Sequence, residues 1–557
     1  MRHGGKILID QLEAQGVTTV FTVPGESFLA ALDGLHDSNS IRTVICRQEG
    51  GAAMMAEAWG KMTGAPGICF VTRGPGAANA MSGLHVAQQD STPMILFVGL
   101  PGERHEDREA FQEIETKSLF SSFVKWAAVI RSTERIPEYV SRAFHVAVSG
   151  RPGPVVLGLP EDMLSARAEA ADIDRARVAA PAPSPAAMSE LQALLNQSQR
   201  PLMLVGGPGW SADVQHGIED FARRFDLPVA AAFRFQDYID NRHPCFVGHA
   251  GIGIEGKLKT AIEDADVLVV LGARLGEMTT SGYTLIDIPT PRQFLVHVHP
   301  SSDELGTVYA PHLPICATAS TFADALGALV PPTDIPWRRR RADLRAAAEE
   351  WWRPLPTPGD VKFEEVVRMV SETLPEDGII TNGAGNYAGF VHRYFQYRGY
   401  RSQVSPTSGS MGYGLPAAVA AKLAAPARPV VAFAGDGCFM MTSQELATAV
   451  QYGLPLVVII SNNGMYGTIR MHQERDYPER VVGTTLINPD FAAFARSFGA
   501  HGETVERTEQ FAPAFRRALE AGRPAVIELK IDPEALTPRQ TLSQIRASKA
   551  AVATRQG

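Results

Sequence analysis

RPVVAFAGDG (428–437) and LPLVVIISNNG (454–464) decide the reading of the fold. Each is a short apolar run that ends abruptly in Gly, Asp or Asn, and one helix-length stretch, FMMTSQELATAVQYG (439–453), lies between them. That pattern predicts two neighbouring parallel strands joined by a crossover helix. Open α/β sheets bind ligands at the carboxyl ends of their strands, where Gly435-Asp436-Gly437 and Ser461-Asn462-Asn463-Gly464 fall. Gly435 and Gly437 let backbone approach a ligand, while Asp436 and Asn463 offer hard oxygen donors suited to Mg²⁺. A diphosphate would complete that metal's coordination, and the helix after Gly437 would aim N–H groups and its dipole at the anion. Either cluster alone reads better as a strand-end turn. Both together, in this order, read as a metal and diphosphate site.

Outward from this block the same rhythm recurs. TTVFTV, IRTVIC, GICFVT and MILFVG mark strands in residues 1–165. PLMLVGGPGW, ADVLVVLGARLG and FLVHVHP do so in 196–331, and DGIITNG and PAVIELK flank the opening motif in 362–533. The expected fold class is α/β: three doubly wound, mostly parallel-sheet domains. The Ala- and Pro-rich stretch 166–195 and the Pro-bounded stretch 332–361 read as linkers. The tail 534–557, with Arg539, Arg546, Lys549 and Arg555, reads as either mobile or folded over another surface.

Composition narrows the function. The chain has 557 residues and a formal charge of −8, which argues against nucleic acid as the main partner. No apolar run approaches the roughly 18–20 residues of a membrane span, and the N-terminus reads as an amphipathic helix rather than a signal peptide. No membrane association and a cytoplasmic location are expected. The five cysteines, Cys46, Cys69, Cys245, Cys316 and Cys438, are odd in number and widely spaced, as free thiols are. The run Arg338 to Arg341 reads as a solvated helix face rather than a nucleic-acid patch.

The opening motif resembles the cofactor motif of thiamine diphosphate-dependent enzymes, and other segments carry the resemblance along the chain. They are VFTVPGESF (20–28), RQEGGAAMMAEAWGKMTG (47–64), VTRGPGAANAMSGL (71–84) and SGSMGYGLPAA (408–418). With FQE (111–113) and SGRPGPVVLGLPEDM (149–163), the chain is similar to the acetolactate synthase large, catalytic subunit branch. The resemblance implies a pyrimidine-binding first domain, a central nucleotide-binding-like domain and a diphosphate-binding third domain.

It also implies roles. Glu49 would hydrogen-bond the aminopyrimidine and promote loss of the thiazolium C2 proton, and it should sit among apolar groups that favour sharing a proton. Asp436, Asn463 and the carbonyl of Met465 would hold Mg²⁺. Gly435, Gly437, Cys438, Tyr466, Gly467, Asn386 and Tyr387 would face the diphosphate. Met411 would prop the bent cofactor with Gly409 and Ser410 beside it, although Met is commonly a core gap-filler. Gly25, Thr72, Pro75 and Asn79 would line the pyrimidine side. Phe111 and Gln112 would face the acceptor. The family forms homodimers or homotetramers with active sites between subunits.

Three departures bear on substrate. His472 stands where the family usually has a pocket-shaping Trp, which would make the acceptor side more polar; a surface histidine on a loop is the alternative. Glu26, with Ser27 and Phe28, follows Pro24-Gly25 where small residues are usual, and would either orient an acidic substrate or cap a helix. The runs Arg274 to Met278 and Val296 to Pro300 lack the arginine and aspartate that flavin-binding members carry, which argues against FAD. No two histidines are adjacent, which weakens simple pyruvate decarboxylation.

The expected function is decarboxylation of a small-molecule 2-oxo acid, pyruvate by default, with carboligation of the acyl unit to a carbonyl acceptor. Alternatives are a 2-oxo acid decarboxylase or aldehyde lyase, a flavin-linked pyruvate oxidase-like enzyme, and a silent regulatory subunit. The presence of Glu49, Asp436 and Asn463 speaks against the last.

Overall fold

The computed structural model describes residues 1–548, so Lys549 and Arg555 of the expected tail lie outside the described residues. The first compact unit comprises residues 1–179 with 406–426 and 442–454. Its sheet has six strands: β1 (Thr19–Thr22), β2 (Arg42–Ile45), β3 (Gly67–Val71), β4 (Met94–Leu100), β5 (Trp126–Val129) and β6 (Pro154–Pro160). They lie in the order β2-β1-β3-β4-β6-β5, and every neighbouring pair is parallel. All seven residues of β4 are buried, as expected of a central parallel strand covered on both faces.

The helix Glu49–Thr63 starts on a Gln48 side-chain cap and stops at Gly64 in the left-handed region, φ +76°. Its small residues let the helix Gly74–Asp90 approach closely: a Cβ on Gly83 would lie 2.4 Å from that of Ala53. The helix Gly414–Ala424 packs against the same Glu49–Thr63 helix.

The second unit contains residues 180–405, 427–441 and those from 455 onward. One sheet holds β7 (Leu202–Val205), β8 (Val229–Ala231), β9 (Phe246–His249), β10 (Val267–Leu271), β11 (Phe294–His299) and β12 (Leu313–Cys316). The other holds β13 (Ile379–Asn382), β14 (Gln403–Val404), β15 (Val430–Gly435), β16 (Val457–Asn462), β17 (His501–Val505) and β18 (Ala525–Lys530). The first of these runs β9-β8-β7-β10-β11-β12, the dinucleotide-fold order. The other runs β14-β13-β15-β16-β18-β17, the same order as the N-terminal sheet. All pairs in both sheets are parallel. The α/β reading with three parallel-sheet domains therefore holds.

Two local expectations change. The single helix expected over 439–453 is three pieces: Asp436–Met440, a turn at Ser443–Glu445, and Leu446–Gln451. The break follows from side chains recruited elsewhere. Thr442 donates to the Gly412 carbonyl at 2.6 Å, and the buried Glu445 accepts the N–H groups of Arg47 and Gln48 at 3.1 and 3.0 Å. The Arg338–Arg341 run is only partly a solvated face. Arg339 is exposed, but Arg340 pairs with Asp264 and Arg341 pairs with Asp226 at 2.8 Å, their side chains 24% and 20% accessible. Among the described residues no helix is long and apolar enough to cross a membrane.

Candidate functional site

In the second unit, β15 and β16 are adjacent, with Gly435 in register with Ser461, so Asp436 leaves its strand level with Asn462, one residue before Asn463. Asp436 is 2% exposed. Its Oδ1 accepts the N–H of Gly437 at 2.8 Å, and its Oδ2 accepts the N–H of Gly464 at 2.9 Å and Nδ2 of Asn488 at 2.7 Å. Burial pushes its carboxyl above the usual range, while these donors oppose the shift. No lysine or arginine among the described residues forms an ion pair with it. Oδ1 of Asn463 accepts the N–H of Met465 at 3.3 Å. The loop is held flat by the 484–486 segment: Tyr466 N–H donates to Thr484 and Leu486 N–H to Gly464, at 2.9 and 2.8 Å. Asn488 also donates to Asn462 Oδ1 at 2.9 Å, and so ties both strand ends together. Sequence reasoning missed Asn488 and Thr484 because no motif precedes them.

Two of the predicted glycines lie close against tyrosine rings. A Cβ on Gly437 would lie 2.5 Å from the Tyr466 ring, and one on Gly435 would lie 3.1 Å from the Tyr387 ring. Tyr387 receives the Gly383 N–H at 3.0 Å and sits 3.3 Å from Cys438 Sγ. Asn386 opens the helix Asn386–Tyr394; its Oδ1 accepts from Thr468 at 3.0 Å and its Nδ2 meets Met471 Sδ at 3.5 Å. Gly467 begins the helix Gly467–Asp476, which carries His472. His472 is thus half-buried on a helix and is not on a loop.

The described part of the tail, 534–548, folds over a surface. Leu536, Leu542 and Ile545 pack on Met465 and Met471, and Arg546 donates to both Glu474 oxygens at 2.8 Å. The Arg546 guanidinium, with help from Arg470 and the Glu479 N–H, holds the Glu474 carboxyl down at about 2. Because the folded value lies below the unfolded one, the ion pair's contribution to this docking is at full strength above the ordinary Glu range and is lost as pH falls toward about 2. Arg546→Ala is expected to weaken docking by about 1.5–3 kcal/mol, the range for hydrogen bonds to charge. Limited proteolysis near Thr537–Arg539 at neutral pH checks this; unchanged cleavage contradicts it.

In the first unit, Glu49 is the first residue of its helix, and its Oε2 accepts Nδ2 of Asn79 at 2.9 Å. It is half-buried and bonded to a carboxamide, where an apolar enclosure was expected. Gly76 lies against it: an added Cβ would sit 3.4 Å from Glu49 Oε1. Thr72 bonds Ser27 at 2.9 Å, and a Cβ on Gly25 would strike it at 2.4 Å. Pro75 and Asn79 are exposed on the helix Gly74–Asp90.

Phe111 and Gln112 form a turn tied to this segment: Gly74 N–H donates to Gln112 O at 2.9 Å and Arg73 to Phe111 O at 3.2 Å. Gln112 is left-handed, φ +60°, and Phe111 is 69% exposed. Glu26 caps no helix with its side chain and faces Arg73 at 3.8 Å. Gly409, in the left-handed region at φ +70°, is exposed, with Ser410 and Met411 half-buried beside it. The structure therefore gathers Glu49, Asn79, Thr72, Gly25, Glu26, Phe111 and Gln112 in one unit. It gathers Asp436, Asn463, Met465, Gly467, Asn386, Tyr387 and Cys438 in the other.

Models of the thiamine pyrophosphate enzyme N-terminal TPP binding domain, central domain and C-terminal TPP binding domain match residues 2–119, 188–326 and 383–529. The chain belongs to the thiamine pyrophosphate enzyme family. It is similar to the acetolactate synthase isozyme 2 large subunit of Escherichia coli, 30% identical over 95% of this chain and 96% of the relative. It is also similar to the acetolactate synthase large subunit of Parasynechococcus marenigrum, 32% identical over 95% and 87%. The mitochondrial acetolactate synthase catalytic subunit of Saccharomyces cerevisiae is 28% identical over 95% and 80%. This member of the thiamine pyrophosphate enzyme family is thus a thiamine diphosphate-dependent enzyme with an acetolactate synthase-like sequence throughout.

Proposed function

We propose that the enzyme decarboxylates a 2-oxo acid, pyruvate by default, and transfers the acyl unit to a carbonyl acceptor, with Mg²⁺ beside thiamine diphosphate. The observation that carries the metal is Asp436, an acid 2% exposed that bonds only N–H donors. A buried carboxylate without a cation is costly, and a divalent ion beside it removes that cost. The Asp436 carboxylate, the Asn463 amide oxygen and the Met465 carbonyl are all hard oxygens. One protein carboxylate plus phosphate oxygens is the set Mg²⁺ prefers.

Bound thiamine diphosphate supplies the nucleophilic carbon and the electron sink for decarboxylation. The chain's own residues do the rest. Glu49, oriented by Asn79, holds a proton at its carboxylate for exchange with the cofactor's pyrimidine. Gly435 and Gly437 keep room for the diphosphate, with Cys438, Tyr466, Gly467, Asn386 and Tyr387 around it. Gly409, Ser410 and Met411 support the thiamine, and Gly25, Thr72, Pro75 and Asn79 flank the pyrimidine. Phe111, Gln112 and His472 shape the acceptor side, and Glu26 with Arg73 sets its charge. The enzyme works in the cytoplasm as a homodimer or homotetramer whose copies complete each other's sites.

A flavin-linked oxidation fits less well. At the switch point of the central sheet, the Trp210 indole donates to Gly206 O at 3.0 Å and packs at a tilt of 34° against Tyr238, which donates to Gly207 O at 2.7 Å. Trp210 is 4% exposed, and its Nε1 lies 3.7 Å from where a Gly272 Cβ would be, so protein fills the crevice between β7 and β10. A purified protein with flavin absorbance that reduces dyes would overturn this.

The direct test strips the protein with a chelator and follows CO₂ release from pyruvate. Release should vanish and return only when thiamine diphosphate and Mg²⁺ are both restored. Activity that survives stripping, or none with any 2-oxo acid, contradicts the proposal.

A further inference from the structure

Below the Gly409–Met411 segment lies a buried ion cluster that the proposed chemistry does not use. Glu57, fully buried, and Lys61 sit one turn apart on the helix that Glu49 begins, and Asp90, its side chain 1% exposed, ends the next helix. Lys61 Nζ lies 2.5 Å from Asp90 Oδ2 and 3.1 Å from Glu57 Oε1. The remaining acceptor capacity of both acids is spent on one loop and its support. Asp90 Oδ2 takes the Thr407 N–H at 2.8 Å, and Oδ1 takes the Thr407 hydroxyl and the Ser408 N–H at 2.7 and 3.0 Å. Glu57 Oε2 takes the Tyr413 hydroxyl at 2.5 Å, and Oε1 takes the Thr92 hydroxyl at 2.6 Å. The Lys61 ammonium also lies 5.0 Å from the centre of the Tyr413 ring.

The loop is therefore pinned to the cluster at 407–408 and again at 413, on either side of a four-residue stretch. That stretch is Gly409-Ser410-Met411-Gly412, whose two glycines hold left-handed φ values of +70° and +79°. A buried ion cluster is a poor way to gain stability, since desolvation cancels most of the attraction. What it does provide is directional bonds that fix one backbone register. Two charged acceptors placed on either side of a four-residue stretch fix the height and direction of that stretch against the helix below.

We propose that Asp90, together with Lys61 and Glu57, is a positioning residue that presents the Gly409–Met411 backbone and the Met411 side chain to the thiamine. This rests on the assignment of Gly409, Ser410 and Met411 to the cofactor made above. Asp90 touches no reacting atom, so its loss should act on cofactor binding and leave the chemical step nearly intact.

The test is calorimetric titration of thiamine diphosphate, with Mg²⁺ present, into the full-length protein and its Asp90→Asn variant, alongside kcat at saturating cofactor. The expected result is a Kd weakened at least about tenfold, the scale of losing one hydrogen bond to a charged group. The kcat is expected to stay within about threefold. Lys61→Arg, which keeps the charge, should bind nearly as the parent does. Should Asp90→Asn not fold, Thr407→Val, which removes a single bond to Asp90, is judged by the same split. A lowered Tm with unchanged Kd would show that the cluster only stabilises packing and would overturn the proposal. Met411→Ala separates the two levels. If it too leaves Kd unchanged, the assignment of the segment to the cofactor has failed, whereas a weakened Met411→Ala beside a normal Asp90→Asn condemns the positioning role alone.

Discussion

Asp436→Ala is expected to abolish Mg²⁺-dependent binding of thiamine diphosphate, with affinity falling by at least about 100-fold, beyond the 10–100-fold typical of groups that only support a metal ligand. The reason is visible in what Asp436 does. It is the one carboxylate among the proposed metal donors, and its two oxygens also hold the Gly437, Gly464 and Asn488 donors that shape the loop. Removing it takes away the ion's charge partner and leaves the Asn488 amide and the Gly464 N–H with Asn462 Oδ1 as their remaining acceptor. Asn488→Ala, which disturbs the loop but spares the carboxylate, should cost only about tenfold. Titration of cofactor at fixed Mg²⁺ measures both. Unchanged affinity in Asp436→Ala would remove the metal site from the account.

Glu49→Gln is expected to leave cofactor binding close to normal and to lower turnover by at least about 10²-fold, the lower end of what a positioned acid–base group contributes. The substitution keeps the shape and an oxygen that can accept from Asn79, so the half-site geometry survives. What it removes is the ability to hold and release a proton. The expected signature is a split, with kcat reduced and thiamine diphosphate affinity retained. Near-normal turnover would take Glu49 out of its role, and lost binding would make it a structural residue.

The fold was largely legible because parallel strands buried on both faces are written as continuous apolar runs. Met94–Leu100 and Val457–Asn462 can hardly be read otherwise. Strand order was not legible, since β18 inserts between β16 and β17 through contacts that no local pattern announces. The helix over 439–453 was misread because its break has distant causes. Thr442 is recruited by Gly412, 30 residues earlier, and Glu445 by Arg47 and Gln48, 398 and 397 residues earlier in the chain.

The same limit governs the site. Asp436 and Asn463 end predicted strands and carry their signal locally, whereas Asn488 and Asp90 act through partners far off in sequence. The apolar setting expected for Glu49 also could not be read locally: which side chain meets its carboxylate depends on the helix Gly74–Asp90 bringing Asn79 alongside.

The central claim is that an acyl unit released by decarboxylation is joined to a carbonyl acceptor. The most direct measurement supplies pyruvate alone to the thiamine diphosphate- and Mg²⁺-loaded enzyme and follows CO₂ and acetolactate together. The account predicts acetolactate formed in step with CO₂, one for one, despite His472 at the acceptor side. CO₂ released without acetolactate would contradict it and assign the enzyme to simple decarboxylation.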